Sequence, residues 1–325
     1  MLRKALLLSC LLGLLLAAPA SAATIRMDMN AIYPESNFHS QGAIEFAKKV
    51  EAATNGGVVI TVHAGGALGF KGPELLRSVK DAAVPMSDIL MGVVGGSEEI
   101  FGISSMPRVA TTYEEARKFY DIARPAYEKA CERWNQKLLY AAPWPPSGIF
   151  AKRAMNTPDD LRGLKIRTYD RNGALFLEAA GSHPMSLPWG EVYSALQTGL
   201  ADSVLTSAVS GKDGKFWEVL SDFAEIGYAF PLNMVTINLD WWKALSKEQQ
   251  DAMLAVAAEV EASQWQVSAT QNAEAIAAVK AGGIKVQTPP AAVQERLDEI
   301  ARKMLDDFLA TAKPETKAVF EAYLK

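Results

Sequence analysis

The most chemically suggestive stretch of the chain reads Asn156-Thr157-Pro158-Asp159-Asp160-Leu161-Arg162-Gly163-Leu164-Lys165-Ile166-Arg167-Thr168. Thr157 fits an N-cap, Pro158 the first helical position, and Asp159 and Asp160 the positive end of a short helix. Gly163 stops that helix. A strand from Leu164 to Ile166 then carries Arg167 to its carboxyl end, the edge at which open α/β sheets bind ligands. A guanidinium there grips a carboxylate through two parallel hydrogen bonds, which a lysine does less well. The competing reading is a structural ion pair, and position alone leaves the two open.

Other reactive chemistry is sparse. His39, His63 and His183 are far apart and fall in no metal-binding spacing. Cys131 sits in a helical pattern and reads as a small buried hydrophobe. No G-x-S-x-G nucleophile turn occurs. The glycine-rich turn Gly65-Gly66-Ala67-Leu68-Gly69 lacks the lysine and hydroxyl ending of a phosphate loop and departs from the dinucleotide fingerprint. No cofactor and no metal are therefore expected.

Composition narrows the classes further. The chain has 325 residues, 49% hydrophobic and 22% charged, with a formal net charge of -4. This is a folded-protein balance of about two domains. No basic run is long enough to track a phosphate backbone, which argues against nucleic acid. Arg3 and Lys4, the apolar run Ala5 to Ala18, and Pro19-Ala20-Ser21-Ala22 form a cleavable secretory signal over residues 1–22. Export leaves Cys131 as the one remaining cysteine, so an internal disulfide is not expected.

Strands and helices alternate along the rest, which favours α/β. Strands are expected at Ile25–Met29, Val58–His63, Ser87–Val94, Gly148–Lys152, Leu164–Thr168, Ala201–Thr206, Glu225–Phe230 and Met234–Leu239. Thr112 with Glu115 opens a long helix to Asn135 through a capping box. Ala141 to Ser147, with Pro143, Pro145 and Pro146, cannot be a helix interior and reads as a crossing between domains. Ser246 with Gln249 caps a helix that persists to Ala281, where Gly282-Gly283 ends it. At 1.5 Å per residue it spans about 52 Å, a length suited to bracing two domains. The expected division is 23–145 plus 233–272 for the first domain and 146–232 for the second. Residues 273–325 form C-terminal helices packing across both.

Four segments in order carry a family resemblance. They are Gly66-Ala67-Leu68-Gly69, the segment from Pro158 to Arg167, Glu191-Val192-Tyr193-Ser194-Ala195-Leu196-Gln197-Thr198-Gly199-Leu200-Ala201-Asp202, and Asn238-Leu239-Asp240-Trp241-Trp242-Lys243-Ala244-Leu245-Ser246-Lys247-Glu248-Gln249-Gln250. The chain resembles the solute-binding proteins of tripartite ATP-independent periplasmic (TRAP) transporters, the DctP-type family. The resemblance implies a two-domain periplasmic binding protein fold, an interdomain cleft, and Arg167 as the ligand arginine. It also implies capture of an organic acid, domain closure, and delivery to a membrane permease without chemistry on the ligand. A monomer in the periplasm follows.

Two departures from the family pattern bear on the ligand. Many members carry a second arginine about twenty residues upstream, where this chain reads Pro146-Ser147-Gly148-Ile149-Phe150. After Asp202 the polar positions become Ser203-Val204-Leu205-Thr206-Ser207, leaving Thr206 and Ser207 as small uncharged site residues. Trp144, Phe150, Tyr169, Trp189 and Trp217 cluster near the same landmarks, with core packing as the competing reading for each. One arginine among aromatics points to a monocarboxylate with an aromatic or apolar body. The alternatives are a periplasmic enzyme acting on organic acids and a binding protein that feeds a sensor.

Overall fold

The computed structural model describes residues 23–325. The expected signal segment, 1–22, lies outside the described residues. Among the described residues, eleven strands form two sheets. The strands are β1 (Ile25–Asn30), β2 (Val58–His63), β3 (Met86–Leu90), β4 (Gln136–Pro143), β5 (Gly148–Ala151) and β6 (Lys165–Thr168). They continue with β7 (His183–Ser186), β8 (Ser203–Thr206), β9 (Asp222–Ala224), β10 (Leu232–Asn238) and β11 (Lys285–Gln287).

The first sheet has the order β2-β1-β3-β10-β4 and the second β11-β9-β5-β8-β6-β7. In the first, β1 runs parallel to β2 and β3, while β10 is antiparallel to both of its neighbours. In the second, β6 is parallel to β7 and β8. Both sheets therefore contain parallel strands whose carboxyl ends share an edge, the arrangement that builds ligand sites.

The chain crosses between the sheets at 144–147 and again at 225–231. The two crossings lie side by side. Trp144 N donates to the Pro231 carbonyl (2.7 Å), and Tyr228 N donates to the Ser147 carbonyl (2.8 Å). This corrects the strand expected at Glu225–Phe230. Gly227 has φ +62°, which breaks the extended run. Ile226, Tyr228 and Phe230 are buried because the crossing is packed between the sheets, not because they join a ladder. The strand expected over Ser87–Val94 is also shorter. β3 ends at Leu90 and becomes a 3-10 turn over Met91–Val94. Glycine is required within that turn: a Cβ at Gly92 would stand 2.2 Å from Asp170 Oδ2.

The long helix covers Lys247–Ala281, with Ser246 accepting from Gln249 N and Gln249 Oε1 accepting from Ser246 N. Its first half buries Met253, Val256, Ala257 and Val260 against the first sheet. Its second half places Ala275 and Val279 with Phe150 and Phe216. Glu261, 4% exposed, pins the middle. It accepts from the Tyr120 hydroxyl (2.7 Å), the Ala141 amide (3.0 Å) and the Arg124 guanidinium (2.8 Å). β11 then joins β9 in the second sheet. The helix Ala291–Thr311 packs Val293, Leu297 and Ile300 into the second sheet's core, and Pro314–Tyr323 packs Phe320 into the first sheet's. Among the described residues, no helix is long and apolar enough to cross a membrane.

Candidate functional site

A cavity of about 110 Å³ lies between the two sheets. The ends of β1 and β3 supply Tyr33 and Leu90, and the first crossing supplies Trp144 and Ser147. The ends of β6 and β8 supply Arg167, Tyr169, Thr206 and Ser207, and the turn after β7 supplies Leu187 and Trp189.

Arg167 is 4% exposed. Its Nε and Nη2 both donate to the Leu187 carbonyl, at 2.9 and 2.8 Å. A guanidinium has five N–H groups. The backbone carbonyl therefore fixes the inner edge of the fork and leaves both Nη1 hydrogens and one Nη2 hydrogen for another partner. Among the described residues, no aspartate or glutamate forms an ion pair with it. Burial lowers its pKa to about 10, with Tyr33, Tyr169 and Asp170 working in the opposite direction. It is still protonated at neutral pH. A buried cation without a partner is costly unless an anion arrives to pair with it.

Asp170 does not take that place, because it serves the helix Arg171–Ala179. Its Oδ1 accepts from Gly173 N at 2.9 Å as the N-cap. Burial raises its carboxyl to about 6.

The opposite wall is aromatic. The rings of Trp144 and Tyr33 meet edge-on at 4.9 Å, and Trp189 stands 6.4 Å from Tyr33. Behind Trp144, His39 packs at 4.5 Å, and burial lowers its pKa to about 3, so it is neutral. The Trp144 indole N–H donates to Asn233 Oδ1 (2.8 Å) and so offers the cavity its ring and not its donor. The Tyr169 hydroxyl lies 3.3 Å from Ser147 Oγ, and burial holds its pKa well above the ordinary phenol value. At the rim, Lys71 Nζ lies 2.6 Å from Glu191 Oε1, bridging the segment before Gly72 and Pro73 to the segment after Trp189.

Of the residues expected from sequence, Arg167, Trp144, Tyr169, Trp189, Thr206 and Ser207 line the cavity. Phe150 and Trp217 do not, and both expectations are corrected. Phe150 stacks on Phe223 at 4.2 Å and meets Phe216 edge-on at 5.4 Å. Side chains alternate along a strand, so Ser147 and Phe150 fall on opposite faces. Trp217 covers Gly282, where a Cβ would meet the indole at 2.6 Å. Sequence reasoning missed Tyr33, Leu90, Val93 and Ser210. Tyr33 and Leu90 were accessible to the strand-end rule that singled out Arg167, since both lie at the carboxyl ends of parallel strands.

Comparison with known proteins agrees with this geometry. The family model of the bacterial extracellular solute-binding proteins, family 7 (DctP), matches residues 29–311. A solute-binding protein of Albidiferax ferrireducens is 26% identical over 83% of this chain and 80% of its own length. DctP7 of Bordetella pertussis, an extracytoplasmic solute receptor binding pyroglutamic acid, superposes with a TM-score of 0.90 at 28% identity. The match covers 93% of this chain and all of that one. A marine metagenome TRAP solute-binding protein specific for pyroglutamate superposes with a TM-score of 0.89 at 32% identity, covering 92% and 98%. The family match over most of the chain and the superposition on TRAP solute-binding proteins converge: the protein belongs to the DctP family of TRAP solute-binding proteins.

Proposed function

We propose that this protein is a periplasmic receptor for a small cyclic monocarboxylic acid of the pyroglutamate kind, which it hands unchanged to a TRAP permease. The observation that carries the reading is Arg167: buried, anchored on one edge by the Leu187 carbonyl, and without an acidic partner among the described residues. One cation matches one carboxylate. A second ligand carboxylate would be buried without a partner of its own, so C4-dicarboxylates are disfavoured.

The rest of the ligand meets two surfaces. The rings of Tyr33, Trp144 and Trp189 suit the flat face of a ring. The hydroxyls of Thr206, Ser207 and Ser210 suit a polar ring edge such as a lactam. Pyroglutamate combines these features, and the two similar receptors bind it. A small aromatic monocarboxylate is the second reading, favoured by the same aromatic wall.

A thermal-shift screen followed by calorimetry tests the reading. Ligand at a hundredfold its Kd adds about 2.7 kcal/mol of stability. Pyroglutamate should raise the melting temperature by several degrees, small aryl acetates less, and succinate not at all. Stabilisation by succinate without an effect of pyroglutamate would overturn the ligand class. Conversion of pyroglutamate to a new product on incubation would overturn the receptor role in favour of an enzyme.

A further inference from the structure

We propose that Asp88, which does not line the cavity, is a positioning residue for the ligand site: acting through Asn233, it holds the Trp144 indole in the cavity wall. The inference rests on the reading of that cavity as the ligand site.

Asp88 lies on β3 and Asn233 on the antiparallel neighbour β10. Asn233 pairs with Leu90 and Asp88 with Val235, so Asp88 and Asn233 are diagonal neighbours on one face. Both are 2% exposed. Asn233 Nδ2 donates to Asp88 Oδ1 at 2.8 Å, and Asn233 Oδ1 accepts from Trp144 Nε1 at 2.8 Å. Leu90, the register partner of Asn233, lines the cavity beside Trp144.

The chemistry of these groups makes the chain directional. An indole N–H only donates, so the amide must turn its oxygen toward Trp144. Its NH₂ group then faces Asp88, which must accept. A side chain at 88 without an acceptor would leave a buried donor unpaired. A donor at 88 would favour the flipped amide and set two N–H groups against each other. Trp144 is held at its backbone as well, through the hydrogen bond from its N to Pro231. Tyr33, Phe38 and His39 pack on its ring, and the Asn233 contact adds a directional restraint on the ring's rotation.

Asp88 Oδ2 has no partner among the described residues. Burial raises the carboxyl to about 7, with Asn233 lowering it. A proton on Oδ2 neutralises the buried charge and leaves Oδ1 as the acceptor. The phenols of Tyr33 and Tyr140 both sense the charge at Asp88. An asparagine at 88 reproduces the protonated arrangement atom for atom, with NH₂ in place of OH.

The test is calorimetry with pyroglutamate on wild type and on Asp88→Leu, Asp88→Asn, Trp144→Phe and the double variant Asp88→Leu/Trp144→Phe. Asp88→Leu should weaken binding by about tenfold, and Asp88→Asn should restore it to within about threefold of wild type. Trp144→Phe removes the indole N–H, so Asp88→Leu should add little in that background. Full additivity of the two changes, or wild-type affinity in Asp88→Leu, would overturn the proposal. Should Asp88→Leu fail to fold, Asn233→Ala breaks the same chain one link later and should show the same loss.

A ligand-free readout separates this from the ligand assignment. The indole ¹H–¹⁵N resonance of Trp144, identified by its absence in Trp144→Phe, should move upfield in Asp88→Leu and stay in Asp88→Asn. If wild type does not bind pyroglutamate, the ligand reading fails while this resonance still decides the role of Asp88. An unmoved resonance in Asp88→Leu would overturn that role.

Discussion

The two walls of the cavity are built on opposite principles. The wall on the second sheet presents a charge, Arg167, steadied by one backbone carbonyl and without an ion-pair partner among the described residues. The wall on the first sheet presents the rings of Tyr33 and Trp144, and Trp144 is held from behind by the buried Asn233–Asp88 pair. The charged wall is incomplete until a ligand arrives, so it contributes to binding and not to the empty fold. The aromatic wall is complete without a ligand and contributes to both. This difference makes the walls separable by mutation.

The largest effect is expected at Arg167. Losing one side of a buried charge pair costs about 2–5 kcal/mol, so Arg167→Ala should weaken binding by roughly thirtyfold or more. Its ligand-free melting temperature should hold or rise, because an unpaired buried cation is itself a penalty. Calorimetry with thermal denaturation reads both. A large drop in ligand-free stability would make Arg167 structural and erase the contrast between the walls.

Trp144→Ala should behave in the opposite way. It removes an indole that is 6% exposed, and a core tryptophan truncation typically costs 3–5 kcal/mol. Both the ligand-free melting temperature and the affinity should fall. An unchanged melting temperature would show that the aromatic wall, like the charged one, is idle without ligand.

A smaller effect concerns pH. The folded pKa of Asp88 is raised by burial from 3.8 to about 7. Between those values the folded protein holds a proton that the unfolded chain has lost, so stability falls as pH rises through that window and is level above it. Asp88→Asn lacks the titration. Its melting temperature relative to wild type should therefore climb by a few degrees from pH 4 to pH 7, measured by scanning calorimetry. A constant difference across that range would place the Asp88 pKa near its ordinary value.

The smallest effect lies at the rim. Lys71 and Glu191 pair across the mouth, but both are exposed to water. Glu191→Gln should speed ligand release only severalfold at low salt and not at all at high salt. Stopped-flow release at two ionic strengths checks this. A large, salt-independent acceleration would mean that closure depends on the rim more than on the walls.

Local signals account for most of what the sequence discloses. The long helix is legible end to end because its capping box at Ser246–Gln249 and its Gly282-Gly283 stop are contained within it. Arg167 is legible because a helix cap, a glycine stop and a short strand fix where it emerges. The crossing at Glu225–Phe230 is misread because its apolar residues Ile226, Tyr228 and Phe230 recur at every second position, as in a strand, although they are buried between two sheets. Phe150 and Trp217 are misplaced for a related reason. Their neighbourhood in sequence is that of the site, while the face they occupy is set by the pairing of β5 with β9 and by contact with Gly282. Asp88 and Asn233 are 145 residues apart, and no local pattern announces their contact.

The central claim is that the lone buried guanidinium awaits a carboxylate. Calorimetric comparison of pyroglutamate with its neutral carboxamide, in wild type and in Arg167→Ala, tests it most directly. The account predicts that wild type prefers the acid by roughly thirtyfold or more and that Arg167→Ala loses most of this preference. Equal affinity of wild type for the acid and the amide would contradict it.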